Sequence, residues 1–294
     1  MNRAVLNLSK TFKIIKDDFF KIEYETLTFY GGEEHIKLKK IPLVADNVLI
    51  VSSMSSSSEV MTTFLATNAL KNLFPEAKLE LLMPYIPYAR QDRIMVQGEP
   101  ESIKVFANIL NSFNFNKVFV LDPHSNVSTA LINNVHVLNN NIFVGNSFEN
   151  IKSIHKDEIN DIILVSPDAG AEKKIYDVAK NLDIENIVFG SKYRDVKTGK
   201  IIKTTFVGDV KDKICVINDD IIDGGATFVE LANILKNAGA KKVYLIVTHG
   251  IFSKGIDGLK VLDGVFTTNS IRNFTEYSPF VKTIDLNDLY TFGS

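Results

Sequence analysis

Residues 214–227 read Ile214-Cys215-Val216-Ile217-Asn218-Asp219-Asp220-Ile221-Ile222-Asp223-Gly224-Gly225-Ala226-Thr227. The apolar run Ile214 to Ile217 suits a buried strand. After the acids and glycines, Phe228, Leu231, Ala232 and Leu235 recur at i, i+3, i+4 and i+7 and mark one face of a helix. Gly239 closes that helix. A strand that passes through small and acidic residues into a helix is the building unit of an α/β sheet. Ligands of such sheets bind beyond the carboxyl ends of the strands. Small residues let backbone N–H groups close round an anion, and the helix N-terminus adds its dipole. Thr227 is placed to cap the helix. Asp219, Asp220 and Asp223 sit where they could grip sugar hydroxyls or a metal.

The same grammar extends outward in both directions. Val48 to Ser53, Leu79 to Tyr85 and Val118 to Asp122 read as strands, with Val105, Ile109, Leu110 and Phe113 as a helix face. Further on, Ile162 to Ser166, Ile187 to Phe189 and Val243 to Val247 read as strands, and Ile175, Val178, Ala179 and Leu182 as a helix face. Lys192 to Lys203 resembles a hairpin turning at Thr198–Gly199. The pattern predicts an α/β fold in two halves, each a mostly parallel sheet flanked by helices. The division is placed near residue 145, giving 1–145 and 146–294, with Asn139–Asn140–Asn141 as the nearest loop signal.

Bulk properties exclude several classes. The 294 residues are 45% hydrophobic and 23% charged, with net charge −2, so no basic field invites nucleic acid or anionic lipid. No apolar stretch is long enough to span a membrane, and Met1 to Phe19 lacks the apolar centre of a secretion signal. The single cysteine, Cys215, lies in an apolar run and reads as a packed, inert thiol. A reducing, cytoplasmic setting is expected.

Other strand ends carry further motifs. Pro84–Tyr85–Ile86–Pro87–Tyr88–Ala89–Arg90–Gln91–Asp92–Arg93 follows one strand, and Asp122–Pro123–His124–Ser125 another. Ser166–Pro167–Asp168–Ala169–Gly170 follows a third, and Lys192–Tyr193–Arg194 opens the hairpin. Near the start stands Phe29–Tyr30–Gly31–Gly32–Glu33. Guanidinium forks suit phosphate, and two cations two residues apart on a strand share a face.

Taken together, these segments resemble the ribose-phosphate pyrophosphokinases, from about Phe29 to about Ile271. Residues 219–227 are similar to the phosphoribosyl-pyrophosphate loop: two acids, two apolar residues, an acid, then Thr-Gly-Gly-Thr. That loop alone would also fit a phosphoribosyltransferase. The segments 84–93 and 192–194 favour the pyrophosphokinase over that rival, and the retained cations favour it over a non-catalytic regulatory subunit.

The resemblance implies transfer of the β,γ-diphosphate of ATP to the 1-hydroxyl of ribose 5-phosphate, with AMP leaving. It implies that Lys192 and Arg194 are catalytic. It assigns ATP to Phe29, Gly31, Glu33, Arg90, Gln91, Asp92, Arg93 and His124. It assigns ribose 5-phosphate to Asp168, Asp219, Asp220, Asp223, Gly224, Gly225, Ala226 and Thr227. Magnesium would lie at His124 and Asp168. A homo-oligomer, dimer or hexamer built from dimers, is implied because Phe29 to Glu33 would serve a neighbouring subunit's adenine. His249 reads as structural or as a support behind the site. The chain departs from the family pattern at Gly31, Ala171, Lys174, Gly224 and Ala226.

Overall fold

The computed structural model describes residues 2–167, 172–194, 201–274 and 279–290; for 172–173, 191–194 and 201–204 it describes the backbone alone. Contacts divide the chain into two units. One comprises Met1–Asn139 with Leu286–Ser294, the other Asn140–Asp285.

In the first unit the strands are β1 (Arg3–Asn7), β2 (Phe19–Lys21), β3 (Tyr24–Thr28), β4 (Glu34–Leu38), β5 (Asn47–Val51), β6 (Lys78–Leu82), β7 (Lys117–Leu121) and β8 (Val135–Leu138). Its helices are α1 (Ser57–Leu73), α2 (Ser102–Ser112) and α3 (Asn126–Leu131). Among the described residues, six strands form a parallel sheet in the order β2-β1-β5-β6-β7-β8. β3 and β4 make a separate antiparallel pair. Strands such as β5, Asn-Val-Leu-Ile-Val, are buried at every position, as expected where helices cover both faces of a parallel sheet. The serines after β5 start α1. Ser56 Oγ accepts from the Glu59 N–H at 3.2 Å, and the Glu59 carboxylate accepts from the Ser55 N–H at 2.9 Å. This reciprocal cap satisfies donors that a helix end leaves open.

α2 forms where the spacing places a helix; of its expected face, Leu110 is buried and Phe113 packs against the core, but Val105 and Ile109 do not. Ile103, Phe106, Ala107 and Leu110 are buried, whereas Val105 and Ile109 are exposed. Apolar residues line both sides of this helix, so periodicity alone does not single out the buried stripe.

The second unit contains α4 (Asn141–Ile154), β9 (Ile162–Ser166), α5 (Glu172–Leu182), β10 (Ile187–Arg194), β11 (Ile201–Val207), β12 (Ile214–Ile222), α6 (Ala226–Asn237), β13 (Lys242–Gly250), β14 (Gly264–Thr268) and β15 (Val281–Ile284). Its sheet runs β11-β10-β9-β12-β13-β14-β15 among the described residues, parallel except for β10 with β11. The mostly parallel α/β class expected from the sequence is therefore found in both units. The helix stripe Phe228, Leu231, Ala232 and Leu235 is buried, and full burial of each Leu or Phe contributes about 1.5–3 kcal/mol. Gly239, at φ +99°, ends the helix, and the Ala240 N–H returns to the Leu235 carbonyl at 3.0 Å.

β12 is longer than its apolar run suggests. Asn218, Asp219 and Asp220 remain in the strand because β13 pairs alongside as far as Ile222 and Gly250. Cys215 is buried within it, and burial pushes its thiol up to about 12, consistent with an inert packing residue. A last helix, α7 (Leu286–Leu289), belongs to the first unit. No helix among the described residues is long and apolar enough to cross a membrane.

Candidate active site

The chain steps from β9 through α5 to β10 on one side, and from β12 through α6 to β13 on the other. β9 and β12 are neighbours, so the direction of winding reverses between them. A crevice opens beyond the strand ends at such a reversal. There β12 delivers its acids. Asp220 is buried, Asp219 is half-buried, and an Asp219 carboxylate oxygen accepts from the Asp220 N–H at 2.9 Å.

The turn that follows is shaped by glycine. Gly225 lies in the left-handed region at φ +77°, and a Cβ there would stand 2.5 Å from Leu259 Cδ2. Its carbonyl accepts from the Phe228 and Val229 N–H groups, both at 3.0 Å, which launches α6. Gly224 is outside the left-handed region. The helix begins at Ala226 with Gly225 as its cap residue and no side-chain cap bond. Thr227 thus lies inside the first turn instead of capping it, a correction to the sequence reading. The Ala226 and Thr227 N–H groups stand ahead of the Phe228 and Val229 donors at the helix N-terminus, the position that suits an anion.

The segment expected to face this loop, Asp168 with Ala169, Gly170 and Ala171, lies outside the described residues. Lys192 and Arg194 lie on β10, which pairs with β9 up to Ser166 and runs beyond it. The ladder to β11 shifts register between Tyr193 and Arg194. Their side chains, and the turn expected at Thr198–Gly199, lie outside the described residues.

In the first unit, two motifs follow adjacent strands. The Pro84 carbonyl accepts from the Leu121 N–H at 2.8 Å, fastening the turn after β6 to the end of β7. Each turn holds a non-glycine residue in the left-handed region, Tyr88 at φ +63° and Asp122 at φ +41°. Such conformations cost about 1–3 kcal/mol and concentrate at ligand sites. Arg90 and Gln91 are exposed. Arg93 instead turns onto its neighbour: its Nε donates to Asp92 at 2.8 Å and a terminal nitrogen at 3.2 Å.

His124 is exposed and close enough to Asp92 to act on it electrostatically. The Arg93 hydrogen bond chiefly holds the Asp92 carboxyl below its ordinary value; partial burial opposes this, and Ser125 and the charges of Arg93 and His124 assist. Ser125 Oγ is buried beside Asp92, near enough to act on its carboxyl but outside good hydrogen-bond geometry. The sequence reading missed the closeness of Ser125 to Asp92, and nothing in local spacing signals it.

Phe29 to Glu33 form the tip between β3 and β4, where the Phe29 N–H donates to the Glu33 carbonyl at 2.9 Å. Ile36 and Leu38 face the core, while Leu27, Phe29 and Tyr30 are exposed. Gly31 sits beside the Glu33 carboxylate; a Cβ there would approach Oε2 to 3.0 Å. His249 is buried, with Nδ1 2.9 Å from Ser270 Oγ, in keeping with a structural or supporting role.

Most of the chain is similar to known proteins. Residues 19–113 match the N-terminal domain of ribose phosphate pyrophosphokinase, and residues 191–291 match the phosphoribosyl synthetase-associated domain. Ribose-phosphate pyrophosphokinase 2 of Schizosaccharomyces pombe is 30% identical over 243 residues, covering 79% of this chain and 73% of that protein. The chain belongs to the ribose-phosphate pyrophosphokinase family. The Mycoplasmopsis pulmonis ribose-phosphate pyrophosphokinase is 29% identical over 286 residues, covering 93% of this chain and 84% of that protein. The fold is that of the phosphoribosylpyrophosphate synthetase of Mycobacterium smegmatis, with a TM-score of 0.81, 24% identity, and coverage of 98% and 96% of the two chains. The ribose-phosphate pyrophosphokinase resemblance drawn from the motifs is thereby established as kinship.

Proposed function

We propose that the first unit holds ATP and the second holds ribose 5-phosphate, with the residue roles set out below. The reaction is that of a ribose-phosphate diphosphokinase: the β,γ-diphosphate of ATP passes to the 1-hydroxyl of ribose 5-phosphate, giving phosphoribosyl pyrophosphate and AMP. The bond formed joins the sugar O1 to the β-phosphorus, and the bond broken releases AMP.

The observation that carries the sugar assignment is the end of β12. A carboxylate pair, a left-handed glycine and an open helix N-terminus follow one another at the winding reversal. Asp219 and Asp220 hold ribose hydroxyls, and Asp223, Gly224, Gly225, Ala226 and Thr227 hold the 5-phosphate. Asp168, Asp219 and Asp220 are the carboxylates able to take the proton of the attacking hydroxyl. Phosphoryl-type transfer depends mainly on positioning and charge neutralisation. Lys192 and Arg194 supply the positive charge on the moving group.

On the ATP side, Arg90, Gln91, Asp92, Arg93 and His124 gather at the ends of β6 and β7. Phe29, Gly31 and Glu33 serve adenine on a neighbouring subunit of a homo-oligomer, a dimer or a hexamer of dimers. The exposed Leu27, Phe29 and Tyr30 at the hairpin tip support this reading. Magnesium is the cation the family resemblance implies, and a hard cation carried on phosphates and water needs few protein ligands. His124 and Asp168 would hold it, and its charge would offset that of the ATP phosphates. A cytoplasmic setting suits the single buried cysteine.

The test follows products from purified protein given ATP, ribose 5-phosphate and magnesium. AMP and phosphoribosyl pyrophosphate should appear one for one; stoichiometric ADP would sink the reading.

A further inference from the structure

The 5-phosphate loop has a floor made by Gly224, and one side chain from outside the loop lies on it. Lys254 Cδ and Cε each stand 3.4 Å from where a Cβ on Gly224 would be, and its Cγ stands 3.7 Å away. The lysine stem thus lies in van der Waals contact with the position a Cβ on Gly224 would take. Its ammonium group is one bond beyond Cε, on a residue exposed to solvent.

This placement is built in several ways. The Ile251 N–H donates to the Ile222 carbonyl at 2.9 Å, and the Ser253 N–H donates to the Asp223 carbonyl at 3.2 Å. Two backbone bonds therefore tie the segment before Lys254 to the residues before Gly224. Phe252 anchors the segment from below. It is buried, sits edge-on to Phe274 at 4.8 Å, and packs so closely on Gly250 that a Cβ there would stand 2.2 Å from its ring. Phe252 takes a left-handed φ of +48°, and Gly255 one of +71°, turning the chain on either side of Lys254. The Gly255 N–H closes that turn onto the Phe252 carbonyl at 3.0 Å.

We infer that Lys254 is a phosphate-binding residue of this chain, placing an ammonium on the 5-phosphate of the sugar substrate from the side of the loop left bare by Gly224. The inference rests on the assignment of residues 223–227 to that phosphate. A phosphate over the loop meets backbone N–H donors and the helix dipole, which are partial charges. The lysine adds a full charge, and charge-assisted hydrogen bonds are about twice as strong as neutral ones. It acts on a group that stays unchanged through the reaction, so it contributes equally to ground state and transition state. Loss of such an interaction raises KM and leaves kcat in place.

Steady-state kinetics on the full-length enzyme test this. Lys254→Met, which keeps the stem and removes the charge, should raise KM for ribose 5-phosphate about tenfold or more. KM for ATP and kcat should hold. Lys254→Glu should raise the sugar KM further, and Lys254→Arg should restore most of it. In a Lys254→Ala background, which empties the space beside Gly224, Gly224→Thr should recover part of the lost affinity by placing a hydroxyl there. Equal sugar KM for wild type, Lys254→Met and Lys254→Glu would overturn the inference, as would a loss confined to kcat. Asp220→Asn separates the two layers. If it weakens the sugar while Lys254→Met does not, the lysine assignment fails alone. If Asp220→Asn leaves sugar affinity unchanged, the loop assignment fails and the lysine assignment with it.

Discussion

Arg93 closes a two-pronged pair on the carboxylate of Asp92, at 2.8 and 3.2 Å, although the two residues are adjacent in the chain. The Asp92 side chain is nearly buried and its partner is largely exposed. The carboxylate thereby meets the guanidinium on one side and His124 with Ser125 on the other. Arg93 is held in place before any nucleotide arrives.

The pair makes stability depend on acid. Asp92 titrates below its ordinary value of 3.8 in the folded protein, so the unfolded chain takes up its proton first as pH falls. Its contribution is complete above the ordinary value and is lost as pH drops through the lower folded value. Asp92→Asn should therefore flatten the stability profile in that acid window. Denaturant midpoints measured from neutral pH to about pH 3 check it; a variant profile parallel to wild type throughout would refute the coupling.

Removing either β10 cation should act on turnover. Lys192→Ala and Arg194→Ala should each cut kcat by about 100-fold or more, the scale of losing one charge-stabilising donor. Calorimetry should show ribose 5-phosphate binding nearly intact. Lost sugar binding with unchanged kcat would assign these residues to the substrate and not to the moving group.

The two loop glycines should respond differently to alanine. Gly224→Ala adds a Cβ in ordinary contact with the flexible Lys254 stem, with no backbone strain, and should leave folding stability near that of wild type. Gly225→Ala forces a side chain into the left-handed region against buried Leu259, and should cost about 1–3 kcal/mol. Thermal or urea unfolding of the two variants reads the difference. Equal stability would mean that the turn tolerates a side chain at either position.

Much of the fold was legible because buried parallel strands advertise themselves as apolar runs, as Ile162 to Ser166 does. The motifs at strand ends were legible for the same reason, since each begins where such a run stops. Three features were not. The buried face of α2 was hidden because Val105 and Ile109 are as apolar as Ile103 and Phe106. The true end of β12 was hidden because hydrogen bonding to β13, not polarity, decides how far Asn218 to Ile222 stay extended. The approach of Lys254 to Gly224 depends on pairing between strands and on the turn built over Phe252, which no local spacing records. The adjacent Asp92 and Arg93 were both legible as candidate site residues, but their grip on each other is a matter of rotamers.

Tyr290, whose hydroxyl donates to the Asn139 carbonyl at 2.6 Å, and Asn287, whose amide reaches the Lys13 carbonyl, complete a unit begun at the other extreme of the chain. Burial and the nearby Asp122 raise the Tyr290 hydroxyl well above its ordinary value, so it remains a neutral donor at physiological pH. On the ribosome, the segment Asn140–Asp285 emerges whole while the first unit still waits for these last residues. The first unit is then complete in sequence only after the second. A translation product halted near residue 285 would carry an intact sheet in its second unit and a first unit whose Asp122 corner lacks its tyrosine.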